Sequence, residues 1–276
     1  MLCSHSNADR YSVNLLSSDR VFAARLEKAE AANGLEMAHL APEAIPDAVF
    51  ESIAGGTAIF AGIGSPMTHA LGIGMNGRVP KEEMEHLEAF YRERGSPCLL
   101  DLCPMADDSV ISFVQSRPYR VIEFNNVLAR RIQPDEMLEQ RSALRLVSPE
   151  EKLQWSRVVS QGFAEYVPVT ESQVNVMAAT CRNARCWIAG ENEPVGGAAM
   201  SVQDRVALFF GDAILTGARR KGWQSLLIRE RLAAAQGAGC DLAMVSVLPG
   251  SDSHRNYERA GFQLIYMRVN LLREFA

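Results

Sequence analysis

The residues best equipped for chemistry stand together at Arg219, Arg220, Lys221 and Gly222. An apolar run, Val206 to Leu215, leads into them, and a helical stretch, Trp223 to Ala235, follows without a break. The unpaired N–H groups of a helix's first turn carry partial positive charge, so each cation placed there costs roughly 0.3–1 kcal/mol. Three cations at one helix start therefore call for an anion. A phosphate or pyrophosphate seated on those N–H groups would supply it, with Gly222 letting the backbone approach closely. A solvated basic turn is the plainer alternative.

A second segment strengthens the first. The stretch Arg219-Arg220-Lys221-Gly222-Trp223-Gln224 resembles the Q/R-x-x-G-x-G/A signature of the GNAT N-acetyltransferase superfamily, with Gln224 standing where Gly or Ala is usual. About forty residues on, Tyr257-Glu258-Arg259-Ala260-Gly261-Phe262 resembles that superfamily's Y-x-K/R-x-G-F segment. The resemblance implies that the loop from Arg219 to Ser225 holds the pyrophosphate of acetyl-CoA. It further implies that the backbone of Ala213, Ile214 and Leu215 pairs with the pantetheine and acetyl carbonyls, and that Tyr257 protonates the departing thiolate. Asn256 and Ser253 fall where the chain should cross the pantetheine arm. Asn256 is equally suited to bonding its own turn.

Acyl transfer to an amine also asks for a base. Glu165, Glu171 and Asp212 are conceivable, and nothing in their spacing selects one. His254 stands in a polar stretch where an exposed histidine is the ordinary outcome. The implied activity is transfer of an acetyl group from acetyl-CoA, the cosubstrate, to a small or amino-acid-like amine. A non-catalytic acyl-CoA-binding sensor would need the same loop without the chemistry. The loop lacks both the G-x-x-x-x-G-K-[ST] and G-x-G-x-x-G patterns, which weakens a nucleotide-phosphate reading.

Composition narrows the setting. The chain has 276 residues and a formal net charge of -5, so a nucleic-acid partner is not expected. No apolar run approaches the roughly 18–20 residues that span a bilayer, so no membrane partner is expected either. Met1 to Arg10 is polar and without a secretory apolar core, which predicts a cytoplasmic protein. The six cysteines, Cys3, Cys98, Cys103, Cys181, Cys186 and Cys240, show no metal-ligand spacing, so no metal site is expected.

The elements that must position these residues follow from periodicity. Ser17 and Ser18 can cap a helix running to Asn33, with Gly34 as its stop. A short helix is predicted over Ile45 to Ile53, then a pair of strands over Thr57 to Ile63 and His69 to Met75. A helix from Pro80 to Arg94, a buried strand at Cys98 to Cys103, a helix from Asp107 to Gln115 and a strand from Tyr119 to Leu128 complete the first half. Arg130 to Arg141 reads as linker. The second half repeats the plan: strand 144–147, helices 149–164 and 171–179, strands 187–189, 195–202 and 206–215, helix 223–235, strand 242–247, helix 252–260 and strand 262–271. Each half thus ends strand, strand, helix, strand, helix, strand. The expectation is an α/β (α+β) chain of two tandem GNAT-like folds, each a mixed, mostly antiparallel sheet flanked by helices. Residues 1–135 would be a degenerate unit, scaffold or substrate wall, and 136–276 the catalytic one. At the equivalent junction of the first half, Met75 to Glu83, Pro80 and two glutamates replace the basic turn, and acidic side chains repel a pyrophosphate.

Overall fold

Period-two apolar runs set between amphipathic helices build one layer of sheet covered on both faces. The structure, a computed structural model, describes residues 16–40, 48–136, 144–164, 169–180, 182–190 and 193–275. In chain order the elements are α1 (Arg20–Leu40), β1 (Val49–Ile53), β2 (Gly56–Phe60), β3 (His69–Leu71), α2 (Lys81–Arg92), β4 (Cys98–Leu102), α3 (Asp108–Gln115) and β5 (Arg120–Arg131). The second half continues with β6 (Leu144–Leu146), α4 (Lys152–Gly162), α5 (Glu171–Thr180), β7 (Arg185–Ala189), β8 (Gly196–Gln203) and β9 (Val206–Ile214). It ends with α6 (Trp223–Gly237), β10 (Leu242–Val247), α7 (Asp252–Arg259) and β11 (Gln263–Arg273).

All eleven described strands form a single sheet in the order β1-β2-β3-β4-β11-β5-β10-β9-β8-β7-β6. Each half is mostly antiparallel with one parallel pair, β3 with β4 and β9 with β10. The halves interleave at the centre. The last strand, β11, lies between β4 and β5, while β5 lies between β11 and β10. Helices α6 and α7 pack Leu227, Ile228, Leu232 and Tyr257 on one face against Phe209 and Val245. Helix α4 packs Trp155 and Val159 on the opposite face, against Ile188, Ala199 and Ala213. Helix α1 shares that second face, where Ala23, Leu26 and Ala29 join a core that takes residues from both halves, among them Leu100, Leu208, Met244 and Tyr266.

Four expectations change. The helix predicted over Ile45 to Ile53 is strand from Val49 onward, because Ala54 and Gly55, at φ 53° and 75°, close a two-residue hairpin that aligns Val49–Ile53 with β2. Residues 45–47 lie outside the described residues. Gly34 does not stop α1, which runs through it to Leu40; a Cβ there would come within 2.6 Å of Ile59 Cδ1, so the glycine serves close helix–strand packing. The cap of α1 is Asp19, whose carboxylate accepts the Phe22 N–H at 2.9 Å. The predicted linker is strand as far as Arg131, since Leu242 and Ala243 of β10 pair with Arg131 and Arg130; 137–143 lie outside the described residues.

Candidate functional site

The parallel pair β9 and β10 is in register only from Val206 with Leu242 to Phe209 with Val245. Beyond Phe209 the two strands part, and β9 runs on to Ile214 held on its other edge by β8. That edge carries a bulge: Phe210 faces Ala199 and Ala213 faces Gly197, so Gly211 and Asp212 share one position opposite Ala198. Gly211 takes φ 66°, in the left-handed region that a glycine enters without penalty. The bulge sends Ala213 to the α4 face and Asp212 to the α6 face. Leu215 extends the strand by one bond, its N–H donating to Val195 C=O at 2.9 Å.

A single turn, Thr216–Ala218, leads to the basic residues. Arg219 turns back, its Nε donating to Ile214 C=O at 3.1 Å. Arg220 and Lys221 are exposed, Arg220 with φ 61°. Gly222 is the helix cap at φ 86°, with no side-chain hydrogen bond and no acidic residue in the first turn. The N–H groups of Trp223, Gln224 and Ser225 have no hydrogen-bond partner among the described residues. Cations and bare donors thus meet at the helix start, beside the mouth of the parted strands.

The remaining expected residues lie on α7. Gln224 bridges to it: its Nε2 donates to Ser253 Oγ at 2.9 Å, and its Oε1 accepts from Asn256 Nδ2 at 2.7 Å. Asn256 Oδ1 accepts from Arg259 at 3.0 Å, so the Ser253 and Asn256 side chains are engaged within α6 and α7. Ser225 and Trp223 are half-buried, Trp223 against the core under α6. His254 Nδ1 accepts the Gly250 N–H at 3.1 Å, a local bond. Of the conceivable bases, Glu171 is exposed at the start of α5 and Glu165 lies outside the described residues.

Tyr257 is fully buried. Its hydroxyl donates to Asp212 Oδ2 at 2.8 Å and accepts from Arg231 Nη2 at 3.1 Å. Burial pushes the phenol's pKa well above its usual 10, so it is protonated throughout the physiological range. Arg231, at 0% exposure, is a residue the sequence reading missed. Its guanidinium pairs with both Asp212 oxygens, donates to the carbonyls of Leu227 and Ala199, and lies 4.5 Å from the Phe209 ring centroid. Burial alone would depress the guanidinium's pKa; Asp212 and the phenol outweigh it and hold the pKa above the ordinary value. A signal was present: Arg231 follows Leu227 and Ile228 at helical spacing, an arginine on the apolar side of α6.

The first half carries the counterpart in altered form. β3 and β4 pair at Ala70 with Leu100 and then part. Past that point Gly72 N–H donates to Glu27 of α1 at 3.2 Å, and Gly74 C=O accepts from Arg20 of α1 at 3.0 Å. Backbone groups past the parting are thus met within the chain, by Glu27 and Arg20 of α1. The Asp107 N–H also donates to Gly74 C=O at 3.0 Å, and Ala54 C=O accepts the Gly74 N–H at 3.0 Å. Glu27 is fully buried, and burial raises its pKa although Arg268 opposes this. Helix α2 opens on Pro80 with Glu82 and Glu83, and Glu83 accepts the Ala54 N–H at 2.8 Å.

Cys98, Cys103, Cys186 and Cys240 are buried free thiols; burial pushes those of Cys98 and Cys103 up to about 12, which makes them poor nucleophiles. Cys3 and Cys181 lie outside the described residues. Among the described residues no group of three or more His, Cys, Asp or Glu side chains is placed to hold a metal ion, and no helix is long and apolar enough to cross a membrane.

No family model matches the sequence, and no curated protein matches it. Solved structures do. The chain superposes on a GCN5-related N-acetyltransferase from Kribbella flavida with a TM-score of 0.65 at 16% identity, over 92% of this chain and 96% of that one. A tandem GNAT protein from the clavulanic acid biosynthesis pathway gives 0.54 at 13% identity, over 93% and 96%. A GCN5-related N-acetyltransferase from Sphaerobacter thermophilus gives 0.51 at 16% identity, over 65% and 60%. At these identities the likeness establishes the fold: two GNAT-like units in tandem.

Proposed function

We propose that this chain is an acetyl-CoA-dependent N-acetyltransferase acting on a small or amino-acid-like amine, in the cytoplasm where acetyl-CoA is available. The observation that carries the reading is the parting of β9 from β10 directly beside an uncapped, cation-rich helix start. A thioester carrier has the matching shape: a slender amide-bearing arm for the slot and a pyrophosphate for the helix N–H groups. In this reading Ala213 and Ile214 bond the arm through their backbone, whereas Leu215, expected beside them, has its N–H on Val195 C=O and its C=O on the Ala218 N–H. Arg219, Arg220 and Lys221, with the N–H groups of Gly222, Trp223, Gln224 and Ser225, hold the pyrophosphate. Gln224 and Asn256 brace the slot from α6 and α7. Tyr257 lies behind the bulge as proton donor to the leaving thiolate; to act, its proton must turn from Asp212 toward sulfur.

Residues 1–135 then act as scaffold and substrate wall. Glu27 and Arg20 already satisfy the backbone that an arm would need there, so one equivalent of CoA should bind per chain. Calorimetry with CoA checks this, and two equivalents would overturn it. A second reading is favoured by the same Tyr257 bonds: with its hydroxyl engaged by Asp212 and Arg231, the chain would bind an acyl-CoA as a sensor and leave it intact. Free-thiol release from acetyl-CoA across a panel of amines separates the two. Thiol release that depends on one amine class supports the transferase; tight CoA binding without release from any amine supports the sensor. Absence of CoA binding at millimolar concentration removes both.

A further inference from the structure

We infer that Arg231 is a positioning residue that holds the slot between β9 and β10 open, acting through Asp212. The proposal rests on the CoA reading above and goes a step beyond it. A parallel pair in register at Phe209 and Val245 would ordinarily keep zipping, because each further rung pairs two backbone groups otherwise left to solvent. Something must hold β9 off that course. The bulge does so locally, and the side chain it redirects is Asp212.

Asp212 is drawn toward the α6 face, where both its oxygens are gripped by Arg231 and Oδ2 also accepts from Tyr257. Arg231 is in turn fixed to α6 by Leu227 C=O and to β8 by Ala199 C=O. One buried guanidinium therefore ties together the bulged strand, its neighbour β8, the helix whose start faces the pyrophosphate, and, through the phenol, α7. Planar bidentate pairing makes this a fixed geometry that a lysine's single ammonium cannot reproduce. The strand whose backbone is to meet the pantetheine arm is thereby pinned from its α6 face.

The network is buried under the body of α6, whereas the helix start presents its N–H groups to solvent. Loss of the pin should therefore harm the arm's binding and spare the nucleotide's. The test compares CoA with adenosine 3′-phosphate 5′-diphosphate, the part of CoA that lacks the arm. The protein pair is wild type and a charge-neutral double variant, Asp212→Asn with Arg231→Met, which avoids a lone buried charge. The expected result is CoA binding weaker by about tenfold or more, the loss of one or two net hydrogen bonds, with the fragment within about threefold of wild type. Unchanged CoA affinity, or equal loss for both ligands, overturns the proposal. Should the double variant fail to fold, Arg231→Lys, which keeps the charge and loses the bidentate grip, is read by the same two ratios. Wild-type protein that ignores CoA while binding the fragment, or neither, sinks the functional reading first, so the two failures are distinguishable.

Discussion

At the scale of single residues, the candidate donor and the basic turn could be read from the sequence because each belongs to a short contiguous segment. Arg231 could not, since its role comes from three partners at sequence distances of 19, 26 and 32 residues. Tyr257 carries the sharpest residue-level test. Replacing it with phenylalanine keeps the ring against Phe209 and Phe262 and removes one neutral hydroxyl. If the phenol gives its proton to the thiolate, turnover falls at least about tenfold, within the contribution expected of a positioned acid. CoA affinity should shift little, because the charged Asp212–Arg231 pair remains. Steady-state kcat beside a calorimetric Kd reads both quantities, and wild-type kcat would leave Tyr257 as packing alone.

At the scale of elements, α6 makes a prediction of opposite signs. Arg220 and Lys221 are exposed at a helix start with no acidic residue in its first turn, so in the free protein they oppose the helix's own field. Changing both to serine should raise the melting temperature of the ligand-free protein, by the equivalent of about 0.3–1 kcal/mol per charge, while weakening CoA binding. A variant that loses stability and affinity together would deny the anion site. In the first half, His69 on β3 and Asp101 on β4 make an ion pair at 2.8 Å, extended by Asn270 of β11 at 2.8 Å. Burial works to lower the His69 pKa, and the Asp101 carboxylate outweighs it and raises it. Burial likewise acts to raise the Asp101 pKa, but the imidazolium dominates and lowers it. The His69 contribution is complete below the imidazole's unfolded pKa, about 6.5, and is lost as pH rises through the higher folded value. The Asp101 contribution is complete above its unfolded value, about 3.9, and is lost as pH falls. Melting temperature should therefore decline above about pH 6.5, and His69→Gln should flatten that limb; an unaltered slope would show that other groups set it. Elements with a single period were legible throughout. β1 was not, because Ala54 at positive φ gives no turn signal, and Gly34 misled because its purpose is a contact with β2.

At the scale of the molecule, the doubled order of elements was visible in the sequence, but the interleaving of β5 and β11 was not. Strand partners are chosen by register and by what covers the sheet, and both strands carry similar apolar patterns, so chain order alone would place β5 beside β4. Instead β11 separates them, and cutting the chain after residue 135 would strip β5 of both its neighbours and β4 of one. It would also split a core in which Leu100 and Tyr91 pack with Leu208, Met244 and Leu271. Helix α1 is fastened to the second half by Arg25 on Asp241 at 2.6 Å and by Glu27 on Arg268 at 2.7 Å, the latter pair fully buried. Removing one member of such a buried pair costs about 3–5 kcal/mol, comparable to the stability of a whole domain. The two halves should therefore unfold together although each resembles a complete unit. Placement of the tryptophans makes this measurable: all three, Trp155, Trp187 and Trp223, lie in the second half, so their fluorescence reports that half while far-ultraviolet dichroism reports both. Denaturant midpoints from the two probes should coincide. A dichroism transition displaced from the fluorescence one would mean that the first half melts on its own, and that the exchanged strand does not couple them.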